Sequence, residues 1–217
     1  MIYIKKTGAP RLFQDVKRKY KYYSKDIPET KPMREYLIKE QGYLCAYCMR
    51  RIELSNSSIE HYIPQSVDKE KSLNYHNLLA VCCGNLGKDE KSKTILTCDK
   101  NKDDDRNKNK QITINPTNES HMRAISYKRS TGEILSSNDK HKMNLDVILN
   151  LNHEYLKFNR KKALKIFKDR LDKKHPNMNW SNDKDKIEAL LSELKSSGIK
   201  DEYVGIIIWY FEKRIHK

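Results

Sequence analysis

All five cysteines of the 217-residue chain lie within residues 44–105, together with a Glu-His pair and two asparagines. Cys45-Ala-Tyr-Cys48 puts two thiolates on one turn, the first half of a tetrahedral metal site. The second half must come from Cys82, Cys83 and Cys98. Neighbouring side chains on a strand point to opposite faces, so Cys82 and Cys83 cannot easily serve together. Cys82 ends a predicted strand and Cys98 opens a predicted short helix, which selects Cys45, Cys48, Cys82 and Cys98 as ligands to Zn²⁺. A C-x-x-C pair also occurs in thioredoxin-like redox sites, but the strand-helix-strand context of those sites is missing here. Metal binding supplies folding free energy to a segment with little apolar content.

Glu60-His61 sets a carboxylate beside an imidazole. Neutral imidazole is a suitable base near pH 7. A hard cation such as Mg²⁺ or Mn²⁺ takes one or two oxygen ligands from protein and completes its shell with water and phosphate. Base and cation together are what phosphodiester hydrolysis needs. Asn101, on the short helix, is placed to bring a second oxygen towards Glu60. Asn77 opens the next strand and is placed to hold the loop after His61 or to orient its ring. On a regular strand Glu60 and His61 face opposite ways unless the strand bends.

These residues need elements to position them. A helix is predicted over residues 32–41, with Thr30 as cap, Gly42 as stop and Tyr36 and Leu37 facing the core. Strands are predicted over residues 58–62 and 77–82, a loop over 84–93, and a helix from Cys98 or Asp99, giving a β-β-α order. Residues 2–5 and 112–116 also read as strands. Residues 122–127 and 133–135 read as a hairpin turning at Ser130-Thr-Gly132. Helical patterns cover residues 152–174, with Asn152 as cap and Leu156, Ala163, Ile166, Phe167 and Leu171 as the buried stripe. Ile187, Leu190, Leu191 and Leu194 define a further helix. Residues 203–211 are apolar nearly all round, which suits a core helix better than a docking face. The fold class is α+β, in three parts: a basic, helical segment (1–43), the cysteine-bearing core (44–111), and a hairpin with a mainly helical remainder (112–217).

Lysine and arginine number 44 against 29 acidic residues, a net charge of +15, which points to a polyanionic partner, nucleic acid first. Five positive charges and three tyrosines between Lys17 and Lys25 suit a backbone-binding face with stacking side chains. Arg50, Arg51, Lys100 and Lys102 are further candidates for backbone phosphates. The N-terminus lacks the apolar core of a signal peptide, and residues 203–211 are too few to span a bilayer. The expected location is the cytoplasm, with no membrane partner.

The order C-x-x-C, Glu-His, Asn-Leu-Leu, Cys, Cys-Asp-Lys-Asn-Lys resembles the HNH endonuclease family. The resemblance implies a zinc-stapled ββα-metal core. His61 matches the base, Asn77 the asparagine near the second strand, Asn101 the metal ligand on the helix and Glu60 the ligand preceding the base. It also implies 5′-phosphate products, with DNA as the expected substrate. The usual pattern ends in histidine where this chain has Asn101; Asp99, Asp103 and Asp104 could each take its place as ligand. The opening Met-Ile-Tyr-Ile-Lys-Lys, the run from Arg34 through Cys45-Ala-Tyr-Cys48-Met-Arg-Arg and Leu149-Asn-Leu-Asn resemble the PtuB family, HNH effectors of Septu and some retron anti-phage systems. That resemblance implies a bacterial defence role and a PtuA-like ATPase partner.

Overall fold

A computed structural model describes residues 1–88, 90–107, 112–176, 180 and 183–215. The expected boundary at 111 falls outside them, as do residues 108–110 at the end of the lysine- and asparagine-rich segment and Asp89 of the expected loop. One hydrophobic cluster runs from Met1 to Phe211.

Helix α1 (Arg11–Lys19) buries only Phe13 and Val16 and ends on Lys17, Arg18 and Lys19, where positive charge favours the helix dipole. Helix α2 (Thr30–Glu40) begins at Thr30, one residue after its Glu29 cap, and buries Met33, Leu37 and Ile38. Tyr36 is 36% exposed rather than core. Just beyond it the buried Gln41 side chain donates to Leu44 O and Ala80 O and accepts from Ala80 N, tying the helix to the sheet.

Strands β1 (Ser57–His61) and β2 (Leu78–Cys82) pair antiparallel, with Glu60 opposite Leu79 and His61 opposite Leu78. Every residue of β2 is buried, as a strand packed on both faces must be. The expected loop contains a hairpin, β3 (Asn85–Lys88) with β4 (Thr94–Leu96). Its entry passes so close to Thr97 that a side chain at Gly84 would meet Thr97 O at 2.5 Å, and φ there is +67°. Only glycine takes that turn without strain. Helix α3 (Cys98–Lys102) follows and packs on β2, completing the β-β-α order with a hairpin inserted.

The remainder begins differently from expectation. Residues 112–115 form no strand, because the Asn144 side chain takes the N–H groups of Thr113 and Ile114. Residues 2–5 form none either; Ile4 N donates to Pro116 O. Helix α4 (Glu119–Arg123), capped by Asn118, takes Met122 out of the hairpin, which is β5 (Ile125–Lys128) with β6 (Glu133–Ser136). Helix α5 (Asp139–Met143) runs into a π-helical turn, Asn144–Ile148. Helix α6 (Glu154–Lys174) is capped by His153 and buries Leu156, Arg160, Leu164, Phe167 and Leu171. Ile166 is 51% exposed, and Arg160 is buried with its guanidinium on Gly132 O, Leu151 O and Asn152 Oδ1. Helices α7 (Lys184–Ser196) and α8 (Val204–Ile215) pack together, and α8 buries Val204 through Ile208, Tyr210 and Phe211 as a core helix. A side chain at Gly205 would meet Met49 Sδ and Met1 O at 2.8 Å, so α8 lies directly on the Cys45-x-x-Cys48 turn. No described helix is long and apolar enough to cross a membrane.

Candidate metal centre and active site

Cys45 N donates to Arg50 O and Met49 N to Cys45 O, closing a knuckle that aims both thiols inward. Cys82 arrives at the end of β2. Cys98 arrives at the start of α3, where its N–H donates to Leu149 O. The four sulfurs lie within 4.8 Å of one another and all four residues are buried. Cys45–Cys98 is 3.9 Å and Cys48–Cys82 is 3.7 Å. A tetrahedron with Zn–S bonds of about 2.3 Å has edges of about 3.8 Å, so the set fits zinc in both donor type and size. Cys83 is exposed and outside the set. Hydrogen bonds from Cys45, Cys48 and Cys98, with the Arg50 guanidinium at 3.1 Å, hold the Cys82 thiol far below its ordinary value.

The knuckle also reaches the acidic site. Tyr47, inside it and fully buried, donates to Glu60 Oε1 at 3.1 Å. On the other side stands α3, whose Asp99 and Lys102 occupy one face three residues apart. Lys102 Nζ pairs with Glu60 and lies 3.5 Å from Asp99 Oδ1, an atom that no hydrogen bond reaches. Burial and the neighbouring Asp99 carboxyl push Glu60 well above the ordinary carboxylate range, against the pull of Lys102. Burial pulls Lys102 down, but the two carboxyls more than offset it and keep its ammonium protonated. With both carboxyls ionised, one ammonium leaves a negative charge unbalanced, and Asp99 Oδ1 has no hydrogen-bond donor. That donor set fits a hard divalent cation.

Asn101 lies on another face of α3. Its amide nitrogen donates to Val147 O at 2.7 Å and Ile148 O at 2.9 Å. The carboxyl beside Glu60 is therefore that of Asp99, and Asn101 fastens α3 to the π-helical turn. Asp103 and Asp104 lie past the end of α3, and Asp104 is engaged by Arg106.

His61 ends β1, next to Glu60. Nε2 lies 3.0 Å from Ser72 O; a carbonyl only accepts, so Nε2 carries the proton and Nδ1 is the basic nitrogen. Burial lowers the imidazole from its ordinary value, Ser72 raising it and Lys102 adding to the fall, so the neutral form prevails at pH 7. Tyr23 meets the ring edge-on at 4.8 Å. Asn77 clamps the intervening loop: its Oδ1 accepts from Ile63 N at 2.7 Å, and its Nδ2 donates to Ile63 O and Lys71 O at 3.0 and 3.2 Å.

The basic residues divide. Lys102 is buried on Glu60, and Arg50 faces Cys82. Arg51 is bound to the carbonyls of Gly42, Tyr43 and Lys200. Their ammonium and guanidinium groups have partners within the chain, leaving Lys100 as the exposed member of the four. Tyr47, Ser72 and Tyr23 have no sequence signal beyond their nearness to the cysteines or to the basic segment.

No family model matches the chain. Over 89 residues it is 35% identical to an Escherichia coli protein named "Retron Ec83 putative HNH endonuclease". The match covers 37% of this chain and 34% of that protein, so the chain spans about a third of its relative's length. The likeness is to a retron HNH endonuclease, and it is local.

Proposed function

We propose that the chain is a metal-dependent HNH endonuclease that hydrolyses phosphodiester bonds of nucleic acid, DNA first. The observation that carries this is the buried Glu60–Asp99 pair, which sets Glu60 of the strand that ends in His61 against Asp99 of α3. His61 Nδ1 takes a proton from water while Ser72 O keeps Nε2 protonated and fixes the ring. Asn77 holds the loop that joins His61 to Ser72, and Tyr47 and Lys102 orient the Glu60 carboxylate. When bound by Glu60 and Asp99, Mg²⁺ or Mn²⁺ would supply charge neutralisation at the phosphate and leaving oxygen. Zn²⁺ at Cys45, Cys48, Cys82 and Cys98 would lock the knuckle to α3. The likeness to a retron protein supports a role as effector in bacterial anti-phage defence. An ATPase partner belongs to the same proposal and rests on the PtuB resemblance; a cytoplasmic location is proposed with it.

A second reading has one observation in its favour: Lys102 already pairs with Glu60, as in a zinc-stapled binding module that needs no second metal. Plasmid nicking by the purified chain with Mg²⁺ or Mn²⁺, alone and with the co-purified ATPase, separates the two. Cutting that is lost in His61→Ala with folding intact is expected. Unaltered cutting by His61→Ala refutes the assigned base, and metal-independent binding without cutting under any condition establishes the module.

A further inference from the structure

A dense run of positive charge near the N-terminus has no part in the proposed hydrolysis. Residues 17–25 carry Lys17, Arg18, Lys19, Lys21 and Lys25 with no acidic residue among them. The structure brings this segment to the rim of the His61 site. Tyr23 touches the His61 ring, and Tyr23 N donates to Ser72 Oγ at 3.1 Å, the residue whose carbonyl holds Nε2. The stretch before Ser72 adds Lys69, whose ammonium lies 4.4 Å from the centre of the Tyr22 ring. Lys21 lies 5.2 Å from the same ring. Lys21, Lys25 and Lys69 are exposed, and no ion pair engages any of them among the described residues.

We infer that Tyr22, with Lys21 and Lys69 over its ring and Lys25 three residues on, is a binding surface for a single-stranded stretch of nucleic acid that leads a phosphate towards His61. The inference rests on the proposed nuclease for its direction, but not for the surface itself. A tyrosine ring with ammonium groups over it matches one nucleotide unit: the base stacks on the ring and the cations move to the phosphates either side. A cation over a half-buried ring such as that of Tyr22, whose hydroxyl donates to Glu70 Oε1 at 2.9 Å, is held weakly, while a stacked base is held more firmly. A base inside a duplex shows its edges and not its face, so stacking selects unpaired strands. A basic helix face alone would bind either form. The Tyr22 ring distinguishes them.

The test is fluorescence anisotropy with a labelled single-stranded oligonucleotide and its blunt duplex, on zinc-loaded full-length chain without Mg²⁺ or Mn²⁺, so that nothing is cut. The variants are the triple Lys21→Gln/Lys25→Gln/Lys69→Gln, Tyr22→Ala and Tyr22→Phe, each checked for wild-type melting and zinc content. Wild type should prefer the single strand. The triple variant should bind about tenfold or more weakly, with the slope of log K against log salt reduced by about 2. Tyr22→Ala should lose about 5- to 150-fold for the single strand with little change in slope, and Tyr22→Phe should bind as wild type. Equal binding by wild type and the triple variant overturns the inference. So does a preference for duplex, or no binding of either form. Plasmid cutting with Mn²⁺ is read separately. Cutting with binding unchanged in the variants leaves the nuclease and removes this surface; the expected binding pattern without cutting does the reverse.

Discussion

Replacing Lys102 by methionine removes the ammonium between Glu60 and Asp99 and keeps a side chain of comparable reach. Lys102 is 6% exposed and Glu60 4%, so water cannot take over the pairing. Removing one partner of a buried ion pair costs about 3–5 kcal/mol, because the other charge stays behind uncompensated. In a chain of this size each kcal/mol moves the melting midpoint by about 2–4 °C, so the variant should melt roughly 6–20 °C lower. The sign of the pH dependence follows from Glu60. Its folded value lies above its unfolded one, so the folded state holds the proton longer. The stability it contributes is present below the unfolded value and is lost as pH rises through the folded value. Without Lys102 the folded value rises further, so the deficit should be larger at pH 8 than at pH 5. A divalent cation that binds only the folded site restores about 2.7 kcal/mol at a hundredfold excess over its Kd. Mn²⁺ should therefore raise the midpoint of Lys102→Met more than that of wild type. Thermal melts of zinc-loaded protein in chelator-free buffer, at both pH values with and without Mn²⁺, measure all of this. An unchanged midpoint, or an equal response of both proteins to Mn²⁺, refutes the reading of Lys102 as the resident counter-charge of a cation site.

Three further outcomes are expected. Cys82→Ser should lose zinc and cooperative unfolding while Cys83→Ser keeps both, as metal analysis and urea titration will show; zinc loss in Cys83→Ser would refute the ligand set. Asn77→Ala removes three hydrogen bonds and should cost about 2–3 kcal/mol in urea unfolding, and Asn77→Asp, which turns a second oxygen on Ile63 O and Lys71 O, should be no more stable. The acid limb of kcat/KM should be centred below pH 6.5, the ordinary imidazole value, because burial lowers His61; a limb centred above it would remove His61 as the base.

The sequence was most legible where one constraint acts on one residue. Strand alternation separated Cys82 from Cys83, and the i, i+3, i+4, i+7 pattern located α7. Legibility failed where a polar group replaces an apolar one. Arg160 fills a core position on α6 because three oxygens surround its guanidinium, and no periodicity of apolar residues can announce that. The β3–β4 hairpin is mostly exposed on both faces, so it has no alternation to read. Helix α1 buries two residues in nine. At the site, Asn101 and Asp99 are two residues apart on a helix, and only the direction from which β1 approaches sets which of them stands beside Glu60. The cap at Asn118 was available in the sequence: its side chain takes the N–H groups of Ser120 and His121.

Helix α3 is five residues long, far too short to persist alone in water. Its first residue is one of the four clustered cysteines, its second the carboxyl beside Glu60, and its fourth hangs on carbonyls nearly fifty residues downstream. A chain still emerging from the ribosome can form the β1–β2 hairpin and the knuckle, but it cannot hold Asp99 against Glu60 until the π-helical turn has been made and docked. The acid pair thus comes into being late in synthesis, so that under the proposed function unfinished copies would not cut.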